Sequence, residues 1–132
     1  MNHSSRIYVA GHNGLVGSAI TRELKKKKFN KVITATRSKL DLTNQKKVLN
    51  FLKKEKPDYI IIAAAKVGSI YSNNKYKAEF IYENLMIQSN LIHSAYICGV
   101  KNLIFLGSSC IYPRKCAQPI NCLLYTSDAA DE

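Results

Sequence analysis

Arg6-Ile7-Tyr8-Val9-Ala10-Gly11-His12-Asn13-Gly14-Leu15-Val16-Gly17 opens the chain almost at once and decides how the rest is read. A short strand-like stretch runs into three glycines at spacing G-x-x-G-x-x-G, and a helical pattern follows. A pyrophosphate needs such a turn. The first glycine lets the chain reverse sharply, the second lets backbone N–H groups approach an anion, and the third lets helix and strand pack closely. The helix start adds unpaired donors and the positive end of its dipole. Between strand and helix, the triplet predicts a dinucleotide cradle at Gly11, His12, Asn13, Gly14, Leu15, Val16 and Gly17.

Outward from this turn, residues 15–28 read as a helix, with Leu15, Ala19 and Leu24, flanked by Val16 and Ile20, as its apolar stripe. Residues 31–36 alternate as a second strand. Asp41-Leu42-Thr43 leads into a helix over about residues 44–54, with Thr43 as its N-cap and Val48, Leu49 and Leu52 inward. Pro57-Asp58 breaks the chain before Tyr59-Ile60-Ile61-Ile62-Ala63-Ala64, continuously apolar as a strand covered on both faces should be. A polar loop over residues 66–77 precedes a long helix over about residues 78–98, closed by Gly99, and residues 102–106 form a fourth strand. The alternation predicts an α/β architecture, the N-terminal part of a Rossmann-type doubly wound parallel sheet. Right-handed crossovers are expected to order its strands 3-2-1-4.

A chain of 132 residues holds one domain at most. Its longest apolar runs, such as residues 59–65, fall far short of the roughly 20 residues a membrane helix needs. Met1-Asn2-His3-Ser4-Ser5 lacks the apolar stretch of a secretory signal, so a cytoplasmic protein with no membrane partner is expected. Cys98, Cys110, Cys116 and Cys122 form no C-x-x-C pair, and neither a metal site nor a disulfide framework is indicated. The net charge of +11 raises the question of nucleic acid. The lysines, however, are spread over helix positions, and the one dense run, Lys25 to Lys28, closes a helix, where cations suit the carbonyl end of the dipole. No aromatic residues interleave with it, so no nucleic-acid partner is expected. A basic surface would instead steer an anionic nucleotide. Residues 122–132 differ in character, holding no lysine or arginine and three of the nine acidic residues. They resemble the translation of a transposon-end sequencing adaptor. The expected organisation is an incomplete dinucleotide-binding domain over residues 1–121, a non-native tail over 122–132, and an absent substrate domain.

At the end of its second strand a dinucleotide fold reads the adenosine ribose, an acid suiting NAD and an arginine suiting the 2′-phosphate of NADP. Here Thr34-Ala35-Thr36-Arg37 is followed by Ser38, Lys39 and Leu40, with no acid before Asp41. Arg37 therefore points to NADP(H), or else is a solvated arginine. Asp41 and Leu42 would flank the adenine, and the small Ala63, Ala64 and Ala65 would let backbone approach the cofactor. The fourth strand runs out as Leu106-Gly107-Ser108-Ser109-Cys110. Ser108 could polarise a substrate carbonyl or cap the strand, and Cys110 could exchange protons as a thiolate or pack as a small hydrophobe. His12 is open to a structural or a functional role, His93 and Cys98 read as packing or surface residues, and Tyr71, Tyr76 and Tyr82 have no defined partner.

Four blocks carry a resemblance: residues 10–20, Ala63-Ala64-Ala65-Lys66-Val67-Gly68, Asn84-Leu85-Met86-Ile87-Gln88-Ser89-Asn90, and residues 105–113. Over residues 6–120 the chain is similar to the N-terminal part of the GDP-L-fucose synthases. These are extended short-chain dehydrogenase/reductases that turn GDP-4-keto-6-deoxy-mannose into GDP-L-fucose by 3,5-epimerisation and NADPH-dependent 4-reduction. The resemblance implies that residues 11–17, 37–42 and 106–109, Ser109 included, line NADPH. It further implies that Ser108 bonds the keto oxygen of a GDP-sugar substrate and that Cys110 serves the proton exchanges at carbons 3 and 5. It implies a homodimer for the full-length parent. Two departures matter. Asn13 stands where the family often has arginine, so a softened NADP preference is expected. The family's Y-x-x-x-K proton donor is expected shortly after Cys110, but there Tyr112 is followed at that spacing by Cys116, and Tyr125 by Ala129. The catalytic pair is thus expected to be missing and the chain to be inactive by itself. Two other readings stay open, a relative acting on a different nucleotide sugar and a non-enzymatic NADP-binding regulator.

Overall fold

A computed structural model describes residues 1–108; Ser109, Cys110, Tyr112, Cys116, Cys122 and Tyr125 lie outside the described residues. In chain order the elements are β1 (Arg6–Ala10), α1 (Leu15–Lys26), β2 (Lys31–Ile33), α2 (Gln45–Glu55), β3 (Tyr59–Ile62), α3 (Ile70–Lys75), α4 (Lys77–Ile97) and β4 (Asn102–Phe105). All strand pairs are parallel, as the βαβ alternation requires.

The strand order is β2-β1-β3-β4, which corrects the expected 3-2-1-4. β3 crosses back past β1, pairing Ile7–Ala10 with Tyr59–Ile62, instead of continuing outward beyond β2. The reason lies in its composition. An unbroken apolar strand must be covered on both faces and flanked on both edges, which only an interior place provides. The three-residue β2, partly exposed, takes the edge. Winding therefore reverses at β1, and the chain leaves a crevice between β1 and β3 at their carboxyl ends, the switch point where such sheets bind ligands.

β1 alternates between two cores. Tyr8 and Ala10 join Val48 and Leu52 of α2, Leu91 and Ala95 of α4, and Ile60 and Ile62 of β3 on one face. Ile7 and Val9 meet Leu24 of α1 on the other, with Ile20, Val32 and Ile61 against them. Burial pushes the Tyr8 phenol strongly upward, so it stays neutral.

Several local expectations shift. Thr43 does not cap α2, because its hydroxyl is engaged by Asp41 Oδ1 at 2.7 Å; Asn44 caps instead, its Oδ1 accepting from Lys47 N at 3.0 Å. α1 ends two residues early, where Lys28 turns left-handed (φ 59°) and Phe29 N donates to Leu24 O. The polar loop contains α3, capped by Ser69 Oγ. Leu15 and Ala19, expected in the inward stripe, are exposed, and it is Ile20 and Leu24 that pack against the sheet.

Candidate dinucleotide site

The three glycines do three separate jobs. Gly11 has φ +85°, and a Cβ there would sit 2.7 Å from the Ala63 carbonyl and Ala64 Cα, so the turn presses flat against the end of β3. At Gly17 a Cβ would stand 2.1 Å from Gly11 O, which is why helix and turn can close on each other. A Cβ at Gly14 would meet only Gly11 O, at 3.4 Å. Nothing among the described residues forbids a side chain at Gly14; what it keeps open is the space in front of α1.

That space faces an uncapped helix. Gly14 is the N-cap of α1, no side chain among the described residues caps the helix, and its first turn carries no acid. Gly14 N bonds Gly11 O at 3.0 Å and Ser18 N bonds Gly14 O at 2.9 Å, so the helix starts cleanly with its first amides directed outward. An anion is the natural partner for such an end. His12 Nδ1, buried in the same turn, has no hydrogen-bond partner among the described residues. An orphaned polar atom beside open amides fits a polar ligand in this cradle.

A cleft of about 250 Å³ runs from the turn across the switch point. It brings together, of the expected residues, Gly11, Asn13, Gly14, Arg37, Leu40, Asp41, Leu42, Ala64 and Ala65. Ser38 and Lys39 stay on the turn outside it; Lys39 N and Leu40 N both bond Thr36 O, and this tight turn swings Leu40 into the core at 4 % exposure. Leu15 and Val16 lie on the exposed first turn of α1. Leu106, Gly107 and Ser108 follow β4 along the same carboxyl edge, Leu106 N bonding Ile62 O at 3.1 Å, outside the cleft lining.

The sequence reading missed Lys66, Glu83 and Ile87, which also line the cleft. Glu83 and Ile87 are one helical turn apart on α4, the spacing that puts two side chains on one face. Glu83 lies between two cations, with Arg37 Nη2 at 3.4 Å from Oε2 and Lys66 Nζ hydrogen-bonded to Oε1. The Lys66 hydrogen bond, seconded by its charge and that of Arg37, holds the Glu83 carboxyl below the usual range. Asp41 is lowered chiefly by hydrogen bonds from the Thr43 hydroxyl and N–H.

α4 also holds the cleft's loops. Asn84 Oδ1 accepts from Lys66 N at 2.7 Å while its Nδ2 donates to Lys66 O at 3.0 Å, a two-point grip on the loop after β3. Buried Asn90 donates to Leu42 O at 2.9 Å and grips the loop after β2. The block Asn84–Asn90 is thus a pair of amide staples.

Tyr71 and Lys75 stand at Y-x-x-x-K spacing, which a search confined to the region after Cys110 passes over. They sit on α3, with Tyr71 71 % exposed and Lys75 Nζ 5.7 Å from its ring centre, and neither lines the cleft. His93 is exposed on α4, and Cys98 is half-buried with a free thiol.

A glycine turn feeding an uncapped helix at the switch point of a doubly wound parallel sheet defines a Rossmann-type domain. Within that class, the chain belongs to the NAD dependent epimerase/dehydratase family, whose model matches residues 7–129. It is 58 % identical over 117 residues to GDP-L-fucose synthase 1 of Arabidopsis thaliana, covering 89 % of this chain and 36 % of that protein. To the GDP-L-fucose synthase of Escherichia coli it is 48 % identical over 115 residues, 87 % of this chain and 36 % of that one. Among solved structures, a GDP-mannoheptose C4 reductase from Campylobacter jejuni with NADP bound superposes with a TM-score of 0.88 at 41 % identity, over 96 % of this chain and 40 % of that one. The chain spans about a third of the length of the curated relatives it matches. Among the described residues no helix is long and apolar enough to cross a membrane.

Proposed function

We propose that this chain is the NADP(H)-binding part of a GDP-sugar epimerase–reductase of the GDP-L-fucose synthase kind. The observation that carries the reading is the uncapped start of α1 behind Gly14, with Arg37 on the opposite rim of the same cleft. The amides at Gly14 and beyond would take the pyrophosphate, Arg37 the 2′-phosphate, and Leu40, Asp41 and Leu42 the adenine. The cofactor, when bound, supplies the hydride. Ser108 and Cys110 would serve the substrate carbonyl and the proton exchanges at its neighbours, Ser108 from the carboxyl edge it shares with Ala64. The relatives named as GDP-L-fucose synthases support a GDP-sugar substrate. A cytoplasmic, homodimeric full-length parent is part of this proposal, the dimer resting on the family resemblance. The division into residues 1–121 and a foreign tail rests on the change in composition after residue 121 and its likeness to a sequencing adaptor.

NADPH fluorescence titration of the chain tests the reading, with Gly14→Val as control. Binding by the wild type, abolished in a variant that keeps its far-UV spectrum, is the expected result. A wild-type chain that leaves NADPH fluorescence unchanged would sink it. By the same proposal the chain alone turns over no GDP-sugar, since no Y-x-x-x-K follows Cys110 in its sequence; GDP-L-fucose formed in an assay of the purified chain would contradict that.

A further inference from the structure

Arg37, among the described residues the one arginine on the cleft, is not waiting for an anion; it already has one. Its side chain is 80 % exposed and reaches across to Glu83, a carboxylate 46 residues away in sequence. Glu83 is held by more contacts. Only 23 % exposed, it is anchored by Lys66, whose backbone is in turn held at both ends by Asn84. Arg37 is thus the partner able to leave, and Glu83 the one that stays.

Resting on the reading of this cleft as an NADP(H) site, we propose that Glu83 is a positioning residue that sets cofactor choice. It holds Arg37 as an internal stand-in for the 2′-phosphate and weakens NADP(H) binding relative to NAD(H). Two consequences of the geometry act in the same direction. An incoming 2′-phosphate must draw the guanidinium away from Glu83, and it then sits close to a carboxylate that Lys66 keeps in place. NADH, carrying a hydroxyl there, meets neither cost. Lys66 neutralises part of the Glu83 charge, so the penalty is moderate. Together with Asn13, which offers no charge of its own, Glu83 predicts a site that tolerates both dinucleotides.

The test compares Kd values for NADPH and NADH, and for 2′,5′-ADP and 5′-AMP, on the chain and on Glu83→Gln. That variant keeps the length and hydrogen-bonding capacity of the side chain while removing its charge. The expected result is tighter binding of NADPH and 2′,5′-ADP by about threefold to fivefold, the range a partly exposed ion pair supports, with NADH and 5′-AMP unmoved. In an Arg37→Gln background the gain must shrink, because the stand-in then has nothing to hold. Equal shifts for both dinucleotides, or weaker NADPH binding with the far-UV spectrum intact, would overturn the proposal. Should E83Q lose its fold, Glu83→Asp substitutes. Its shorter carboxylate draws back from Arg37 and must move the ratio the same way by a smaller factor, and an unmoved ratio counts against the proposal. A wild-type chain that binds neither dinucleotide removes the site itself and this inference with it, whereas binding with an unchanged ratio removes only the inference.

Discussion

The two faces of the sheet are built to different standards. On one, α2 and α4 lie side by side over β1 and β3, and Val48, Leu52, Ile60 and Leu91 are wholly buried. On the other, among the described residues, α1 covers Ile7 and Val9 with Leu24 as its buried contact, and Ile20, Phe29 and Val32 pack around them half-buried. At β4 the contrast holds at one register position and fades at the next, since Phe105, beside Ile62 on the filled face, is itself 45 % exposed. Leu103, beside Ile60, packs into the filled core, while Ile104, beside Ile61, is 54 % exposed. The filled face is therefore expected to supply most of the stability. The other supplies the phosphate turn at the head of α1, and it needs a rigid helix start more than a deep core.

Matched truncations should expose this asymmetry most strongly. Leu52→Ala empties a site with no solvent contact between α2 and the sheet, and Leu→Ala changes of this kind cost about 2–5 kcal/mol. Leu24→Ala removes the same atoms from a thinner layer at 7 % exposure, where the site can collapse or hydrate, and belongs at or below the bottom of that range. Urea unfolding followed by circular dichroism measures both. Equal losses would mean that the α1 face carries as much of the fold as its opposite.

Much of this was legible in the sequence, and what was not has a physical reason. β1, the glycine turn and the apolar β3 are local signals, since spacing and composition within ten residues determine them. The strand order was not local. Nothing in residues 34–58 states whether the chain continues past β2 or recrosses β1; the burial demand of Tyr59–Ile62 settles it, and that demand is felt only in the assembled sheet. Glu83 was invisible for the same reason, because its partners Arg37 and Lys66 lie on two other loops that topology brings together. The cap of α2 failed differently. Thr43 and Asn44 are both competent caps, and Asp41 decides between them by taking the Thr43 hydroxyl.

A smaller effect probes the open face directly. Ile104→Lys places a charge where Ile104 is already half in water, so the unfolding free energy should move by no more than about 0.5 kcal/mol. The exposed apolar side chain at this position is replaced by a charge, so if the wild-type chain associates through this face, the variant should associate less. Sedimentation velocity and thermal unfolding read the two separately. A loss comparable to that of Leu52→Ala would show Ile104 to be core.

The smallest effect belongs to the loop between β2 and α2, which borders the filled core. The Asp41 carboxyl lies below its ordinary value of 3.8 because the Thr43 hydroxyl and N–H donate to its charged form. A group whose acidity is raised by folding stabilises the fold above its unfolded pKa, and that contribution is lost as pH falls through the lower, folded one. Thr43→Ala removes the hydroxyl donor and leaves the Asn44 cap in place. Wild type and variant should therefore differ most at neutral pH, and the gap should close as acid protonates Asp41. A gap that stays constant across the acid limb would mean that Thr43 acts through packing alone, and the electrostatic account of this loop would fail.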